Sequence, residues 1–249
     1  MVNPPYQLAN NLKHKEIVHG FFGAEGGYSS GIFESLNCGL NKGDDDTKVM
    51  QNRALVCKSM GVDRMVTLKQ VHKSDVLVVD QNTPNGHEYD AIVTSSKGLL
   101  LAIQTADCAP ILLQDVENGV VGAVHAGWRS AVLGIVENTI KSMESLGASR
   151  KNINAAIGPC IQQQSYEVGP EVFEAANSSE FFTNANKPNH YFFDLSGFLN
   201  NQLKKCSIQS ILELRLDTYA LKKQYFSCRR AYHEGLNGFG NQLSVIAIY

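Results

Sequence analysis

The sequence predicts an α+β fold with helices lying outside packed sheets. Three observations lead there. Strand-like and helix-like segments mix along the chain without the strict alternation of a βαβ protein. Several short runs are apolar at every position, as strands buried on both faces are. The stretch after Arg129 carries one apolar stripe at helical spacing, formed by Val132, Ile135, Val136, Ile140, Met143 and Leu146.

Taken in order, Ile17–Phe22 reads as a strand and the glycine-rich residues 23–43 as loop. Asp46 or Thr47 can cap a helix whose apolar positions are Val49, Val56, Cys57 and Met60. Residues 76–79 and 91–94 are short apolar strands, and 99–104, 111–114 and 120–124 are three more. The striped helix begins at about Arg129 and ends at Gly147. Residues 153–157 form another strand, and Pro170 opens a short helix at its first turn, where proline is tolerated. Polar residues 177–189 read as a surface loop, Ser196 as the cap of a further helix, and 243–249 as a closing strand. With no repeat and no linker, residues 1–249 read as a single domain.

Composition narrows the function. Of the 249 residues, 43% are apolar and 18% charged, which suits a folded protein and argues against disorder. The net charge of −2 lacks the basic excess of a nucleic-acid binder. No apolar run has the roughly 20 residues that a membrane helix needs. The start, Met1-Val2-Asn3-Pro4-Pro5, lacks the charged and apolar parts of a signal peptide, so a cytoplasmic protein is expected. The six cysteines are then expected as reduced thiols, mostly buried as small apolar residues. The absence of Cys-x-x-Cys and His-x-x-x-His pairs argues against a structural zinc site.

Three segments place reactive side chains where an apolar strand breaks into a turn. They are Lys69-Gln70-Val71-His72, Thr105-Ala106-Asp107-Cys108-Ala109-Pro110 and His125-Ala126-Gly127-Trp128-Arg129. His125 is expected at a strand end, with Gly127 allowing a tight turn into a helix. The helix start with Arg129 alongside suits an anion such as phosphate, and Arg129 in a salt bridge with Trp128 filling the core is an equal alternative. A Cys108 thiolate beside Asp107 is disfavoured unless a cation compensates, which points to a bound metal or a histidine-activated nucleophile. A buried, inert cysteine is the commoner case. Together, His72, Cys108 and His125 supply three ligands and leave a fourth position open. That is a catalytic zinc set, and copper accepts it too. Asp107 is the nearest carboxylate to shuttle a proton. Arg229 and Arg230 form a basic pair for an anionic substrate group, or simply a solvated or ion-paired one. Arg53 reads as the partner of a carboxylate.

These segments resemble the YfiH/laccase-domain family, described as multicopper polyphenol oxidases and as zinc-containing purine nucleoside phosphorylases. The likeness covers nearly the whole chain. It runs through Gly26-Gly27-Tyr28-Ser29, Leu36-Asn37-Cys38-Gly39-Leu40, Asn52-Arg53, the three segments above and Asp90-Ala91-Ile92-Val93-Thr94. Ile157-Gly158-Pro159-Cys160-Ile161, Tyr166-Glu167-Val168-Gly169 and Phe226-Ser227-Cys228-Arg229-Arg230 complete it. The resemblance implies metal ligation by His72, Cys108 and His125, and a layered α/β/β/α sandwich with mixed sheets, similar to deamidating toxins that use a Cys-His pair. It also implies phosphorolysis of adenosine, inosine, guanosine and methylthioadenosine, with adenosine deamination as well. The partners would be a purine nucleoside and phosphate.

Three positions depart from the family pattern. Ser130 stands for a glycine, Asp217-Thr218 for a Cys-Thr pair, and Asn241 for an arginine that would suit an anion. Other readings stay open beside the phosphorylase. A multicopper oxidase needs more ligands than this trio, a metal-free hydrolase would use Cys108 as nucleophile and His125 as base, and a binding protein would use the pocket alone.

Overall fold

The computed structural model describes residues 3–249. Part of the signal-peptide reading, at Met1 and Val2, lies outside the described residues. Among those residues the strands make three sheets. The first has the order β1 (Tyr6–Gln7), β2 (Ile17–Phe22), β14 (Gln242–Ile248), β6 (Leu99–Thr105) and β3 (Arg64–Thr67). The second runs β13 (Ser210–Glu213), β9 (Asn154–Ile157), β7 (Ala109–Asp115), β8 (Val120–Ala126), β5 (Ala91–Thr94) and β4 (Val76–Val78). Both mix parallel and antiparallel pairs: β3 runs parallel to β6, while β14 runs antiparallel to it. A small third sheet joins β10 (Glu167–Val168), β12 (Tyr191–Phe193) and β11 (Phe182–Asn184).

Alternation along β6 explains the layering. Leu99, Leu101 and Ile103 join Phe21, Ile92, Leu112, Val121 and Ile246 in a core between the two large sheets. Leu100 and Ala102 face the other way, with Leu243 and Val245, and pack on Val56 and Met60 of helix α1 (Asp46–Met60). The outer face of the second sheet, including Val93, Ile111 and Val124, packs on α3 (Ile135–Ser145) and α5 (Leu195–Lys205). The order helix, sheet, sheet, helix is the expected α/β/β/α sandwich, and both-faced burial is why these strands read as unbroken apolar runs. Leu101 is fully buried between the sheets. Leu101→Ala is expected to cost about 2–5 kcal/mol, read as a lower urea midpoint with unchanged slope.

Several details differ from the sequence reading. Asp45, one residue earlier than expected, caps α1: its Oδ1 accepts the Thr47 N–H at 2.8 Å. Asp194 rather than Ser196 caps α5, accepting from Gly197 N at 2.9 Å. The helix after Arg129 is two helices, α2 (Trp128–Val132) and α3, parted at Gly134 with φ +84°. Proline at the first position of α4 (Pro170–Ala176) is as read. Within the polar stretch 177–189, Phe182–Asn184 pairs with β12. No helix among the described residues is long and apolar enough to cross a membrane.

Candidate metal centre

The chain passes from the first large sheet to the second at residues 106–108, between β6 and β7. That crossover puts Cys108 at the edge shared by both layers. Asp107 sits there with φ +90°, in the left-handed region that aspartate tolerates better than most residues. Its carboxylate accepts from Thr218 Oγ1 at 2.7 Å, Ser227 Oγ at 2.9 Å and the Arg229 N–H at 2.7 Å. Burial pushes the Asp107 pKa up, and these three donors oppose the rise. The carboxylate expected as a proton shuttle is therefore engaged by three donors, and Asp107 is not among the residues lining the cavity. Asp107 instead fixes the turn that presents Cys108, and its charge is compensated locally.

His125 lies inside β8, not beyond its end, opposite Pro110 of β7. Its Nδ1 lies 2.7 Å from Oδ1 of Asp90, the residue just before β5. This leaves Nε2 for Cys108, whose sulfur lies within 4.8 Å of a ring nitrogen. The same Asp90 carboxylate accepts N–H groups from Val71 at 3.2 Å, His72 at 2.9 Å and Lys73 at 2.7 Å. Three consecutive amides around one carboxylate hold His72 at φ +59°. One buried acid thus orients both histidines, as carboxylates behind metal-binding histidines do.

Gly127 completes the arrangement, for a reason other than the expected turn. Its φ of −78° suits any residue. A Cβ there would lie 2.8 Å from His72 Nδ1 and 3.1 Å from Cys108 Sγ. Glycine is needed for space.

One ligand atom from each of His72, Cys108 and His125 lies within 4.8 Å of the others. Tetrahedral zinc bonds of about 2.0–2.3 Å place neighbouring ligands roughly 3.4–3.8 Å apart. A small inward shift meets that, so two imidazoles and a thiol fit a zinc-like ion with one position open. Among the described residues this is the one such cluster.

Burial lowers the His125 pKa, but the charge of Cys108 and the hydrogen bond to Asp90 outweigh it and raise the value to about 9. Burial and neighbouring His125 push His72 down. Metal must therefore displace a proton from His125. Apparent metal affinity is expected to rise as pH climbs to about 9, by up to tenfold per unit from this group. The metal-free protein should behave oppositely. A raised pKa stabilises below the unfolded value of about 6.5 and loses that contribution as pH rises through about 9. Melting curves with and without chelator, from pH 6 to 9.5, check both slopes.

The centre opens on a cavity of about 590 Å³, within the range of small-molecule sites. Lys42, Arg53, Gln70, Gln104, Thr105, Cys228, Phe239 and Asn241 share its lining with the three ligands. Gln70 is locked, donating to Gln104 O at 2.7 Å and accepting from Gln104 N at 2.8 Å. The arginines singled out in the sequence lie elsewhere. Arg129 stacks on Trp128 at 4.3 Å, and the Gly127 N–H at the start of α2 is bound by Ser130 Oγ at 3.1 Å. Arg229 donates to Glu167 O and stacks on Tyr166. Arg230 holds the carbonyls of Thr218, Tyr219 and Tyr225. Neither Arg129 nor Arg229 lines the cavity. Asp90 was not singled out as a site residue. Its signals were an acid directly ahead of an apolar strand and its place in the family-like segment Asp90-Ala91-Ile92-Val93-Thr94.

Fold and site together define a layered α+β protein with a His-Cys-His cluster that could hold a metal ion, at the edge of a cavity of small-molecule size. The chain belongs to the family described as multi-copper polyphenol oxidoreductase laccase, matched over residues 18–249. It is 32% identical over 227 residues to a purine nucleoside phosphorylase of Rickettsia prowazekii (strain Madrid E), covering 89% of this chain and 92% of that one. A purine nucleoside phosphorylase of Deinococcus radiodurans is 41% identical over 198 residues, covering 78% and 75%. The crystal structure of the Bacillus licheniformis hypothetical protein YfiH superposes with a TM-score of 0.87 at 26% identity, covering 94% and 93%.

Proposed function

We propose that this chain is a cytoplasmic, zinc-dependent purine nucleoside phosphorylase acting on adenosine, inosine, guanosine and methylthioadenosine, with adenosine deamination as a second activity. The observation that carries it is the His72–Cys108–His125 cluster opening on a cavity of small-molecule size. Relatives named purine nucleoside phosphorylase support the substrate class. In phosphorolysis the C1′–N9 bond breaks, a phosphate oxygen bonds C1′, and the purine leaves with the electron pair and gains a proton. In deamination a water oxygen replaces the 6-amino group and ammonia leaves. A bound divalent ion supplies Lewis acidity at the cavity wall, in the role of zinc or, as an alternative, copper. The chain's own part is orientation: Asp90 aims both imidazoles, Asp107 sets Cys108, and Gly127 leaves room between them.

One observation favours a second reading. The linked Asp90, His125 and Cys108 also make a Cys-His-acid series, the arrangement of a metal-free hydrolase with Cys108 as nucleophile. Iodoacetamide separates the two: zinc protects Cys108 from alkylation in the metalloenzyme and leaves it reactive in the hydrolase. The oxidase reading would need several coppers, against one three-ligand cluster among the described residues.

The test is a product assay on zinc-loaded protein and Cys108→Ala, with adenosine supplied with and without phosphate. Adenine only with phosphate, inosine in either case, and neither from the variant is the expected pattern. No product from the intact protein contradicts the proposal.

A further inference from the structure

Among the described residues, a guanidinium in the cavity wall has no carboxylate within ion-pair distance. Arg53, on α1, is half-buried. Its Nε and Nη2 both donate to Cys38 O, at 2.9 and 2.8 Å, and Nη1 reaches Thr67 Oγ1 only at 3.4 Å. The carboxylate partner expected from the sequence is missing. Among the described residues no acid comes within ion-pair distance of Arg53. Burial lowers its pKa, so the charge is held at a cost. A guanidinium carries five N–H groups, and one shared carbonyl with one long contact leaves outward donors over. The carbonyl also fixes the plane of the group, so its remaining fork is oriented before a ligand arrives.

Two further features of the cavity agree. Lys42, an exposed residue, lines it without an ion pair among the described residues, its Nζ 5.2 Å from the Phe239 ring centre. Thr105 and Asn241 line the same cavity and are 2% and 5% exposed, and their Oγ1 and Oδ1 have no hydrogen-bond partner among the described residues. Buried polar atoms are rarely left unsatisfied, and a ligand is one way to satisfy them. The start of α2, where the sequence suggested an anion, has its Gly127 amide bound to Ser130.

We infer that the Arg53 wall is the oxyanion subsite of this cavity: Arg53 and Lys42 hold inorganic phosphate, and Thr105 and Asn241 hydrogen-bond the polar atoms of the molecule beside it. The choice of phosphate over another oxyanion rests on the proposed phosphorolysis, while the cationic wall does not. The 5′-phosphate of a nucleotide presents the same chemistry and is distinguished in the test.

The experiment is calorimetric titration of the full-length, metal-loaded protein with inorganic phosphate, and separately with adenosine 5′-monophosphate. Arg53→Gln should weaken phosphate at least about tenfold and Lys42→Gln about threefold, whereas Arg129→Gln should change it less than about twofold. Because Arg53→Gln also frees the Cys38 carbonyl, the native protein supplies a second measurement. Phosphate should slow phenylglyoxal modification of Arg53, mapped by mass spectrometry, at least about fivefold. Unchanged phosphate affinity in both cavity variants, no phosphate binding, or no protection of Arg53 overturns the subsite. So does an Arg53 dependence confined to the monophosphate. Arg53-dependent phosphate binding without nucleoside cleavage would sink the proposed function and leave the subsite standing. Phosphorolysis whose phosphate KM is unmoved by either variant would do the reverse.

Discussion

Gly127→Ala is expected to weaken metal binding by about one to two orders of magnitude while leaving the sheets folded. The new methyl group would sit 2.8 Å from His72 Nδ1 and 3.1 Å from Cys108 Sγ, between two ligands. The backbone there, at φ −78° and ψ 170°, suits alanine, so the effect is steric and local. Overpacking of this kind costs about 1–3 kcal/mol. The strain falls on His72, which is exposed on a loop, and not on β8, which is buried throughout. His72 swings out and the three-ligand geometry is lost. Competition with a chromophoric chelator reads the affinity, and the melting temperature of the metal-free variant reads the fold. Wild-type affinity would mean that the three side chains do not share an ion.

Asp90→Ala should be more damaging, because one carboxylate does two jobs. Its loss leaves His125 Nδ1 without a partner and three amides, of Val71, His72 and Lys73, without an acceptor. Removing a carboxylate behind a metal-binding histidine typically costs 10–100-fold in metal affinity. The freed amides add a stability cost of about 1–3 kcal/mol for each that stays buried. The loop should loosen in the metal-free protein as well, so faster hydrogen exchange at residues 71–73 is the accompanying signature. Removing the acid also removes a cause of the raised His125 pKa, so the acid-side loss of metal should move to lower pH. A purely structural role for Asp90 would lower stability and leave that pH profile in place.

Much of the architecture was legible because both faces of the central strands are buried. An apolar run such as residues 99–104 admits few other readings, and the stripe from Ile135 to Met143 left the face of α3 plain. Elements lacking those signals were missed. The short β3 begins with Arg64, β13 ends with Glu213, and α6 (Cys228–His233) spans six residues with a pair of arginines. The cluster His72, Cys108 and His125 could be chosen from chemistry because histidine and cysteine close to strand–turn boundaries are few. Their supports could not. Asp90 and Asp107 differ from other aspartates only in what surrounds them after folding. Arg53 meets the Cys38 carbonyl and the cavity where a carboxylate was expected, and Arg129 stacks on Trp128, for the same reason: sequence shows a charge, while the fold decides what it meets.

The proposed function depends on His72, Cys108 and His125 holding one ion together. Zinc-edge X-ray absorption on stoichiometrically loaded protein, beside the Cys108→Ala variant, tests it most directly. One zinc per chain, with a single sulfur at about 2.3 Å and two imidazole nitrogens at about 2.0 Å, is the expected shell, and the sulfur scatterer should vanish with the variant's affinity. A shell without sulfur, or zinc bound equally tightly by Cys108→Ala, would contradict it.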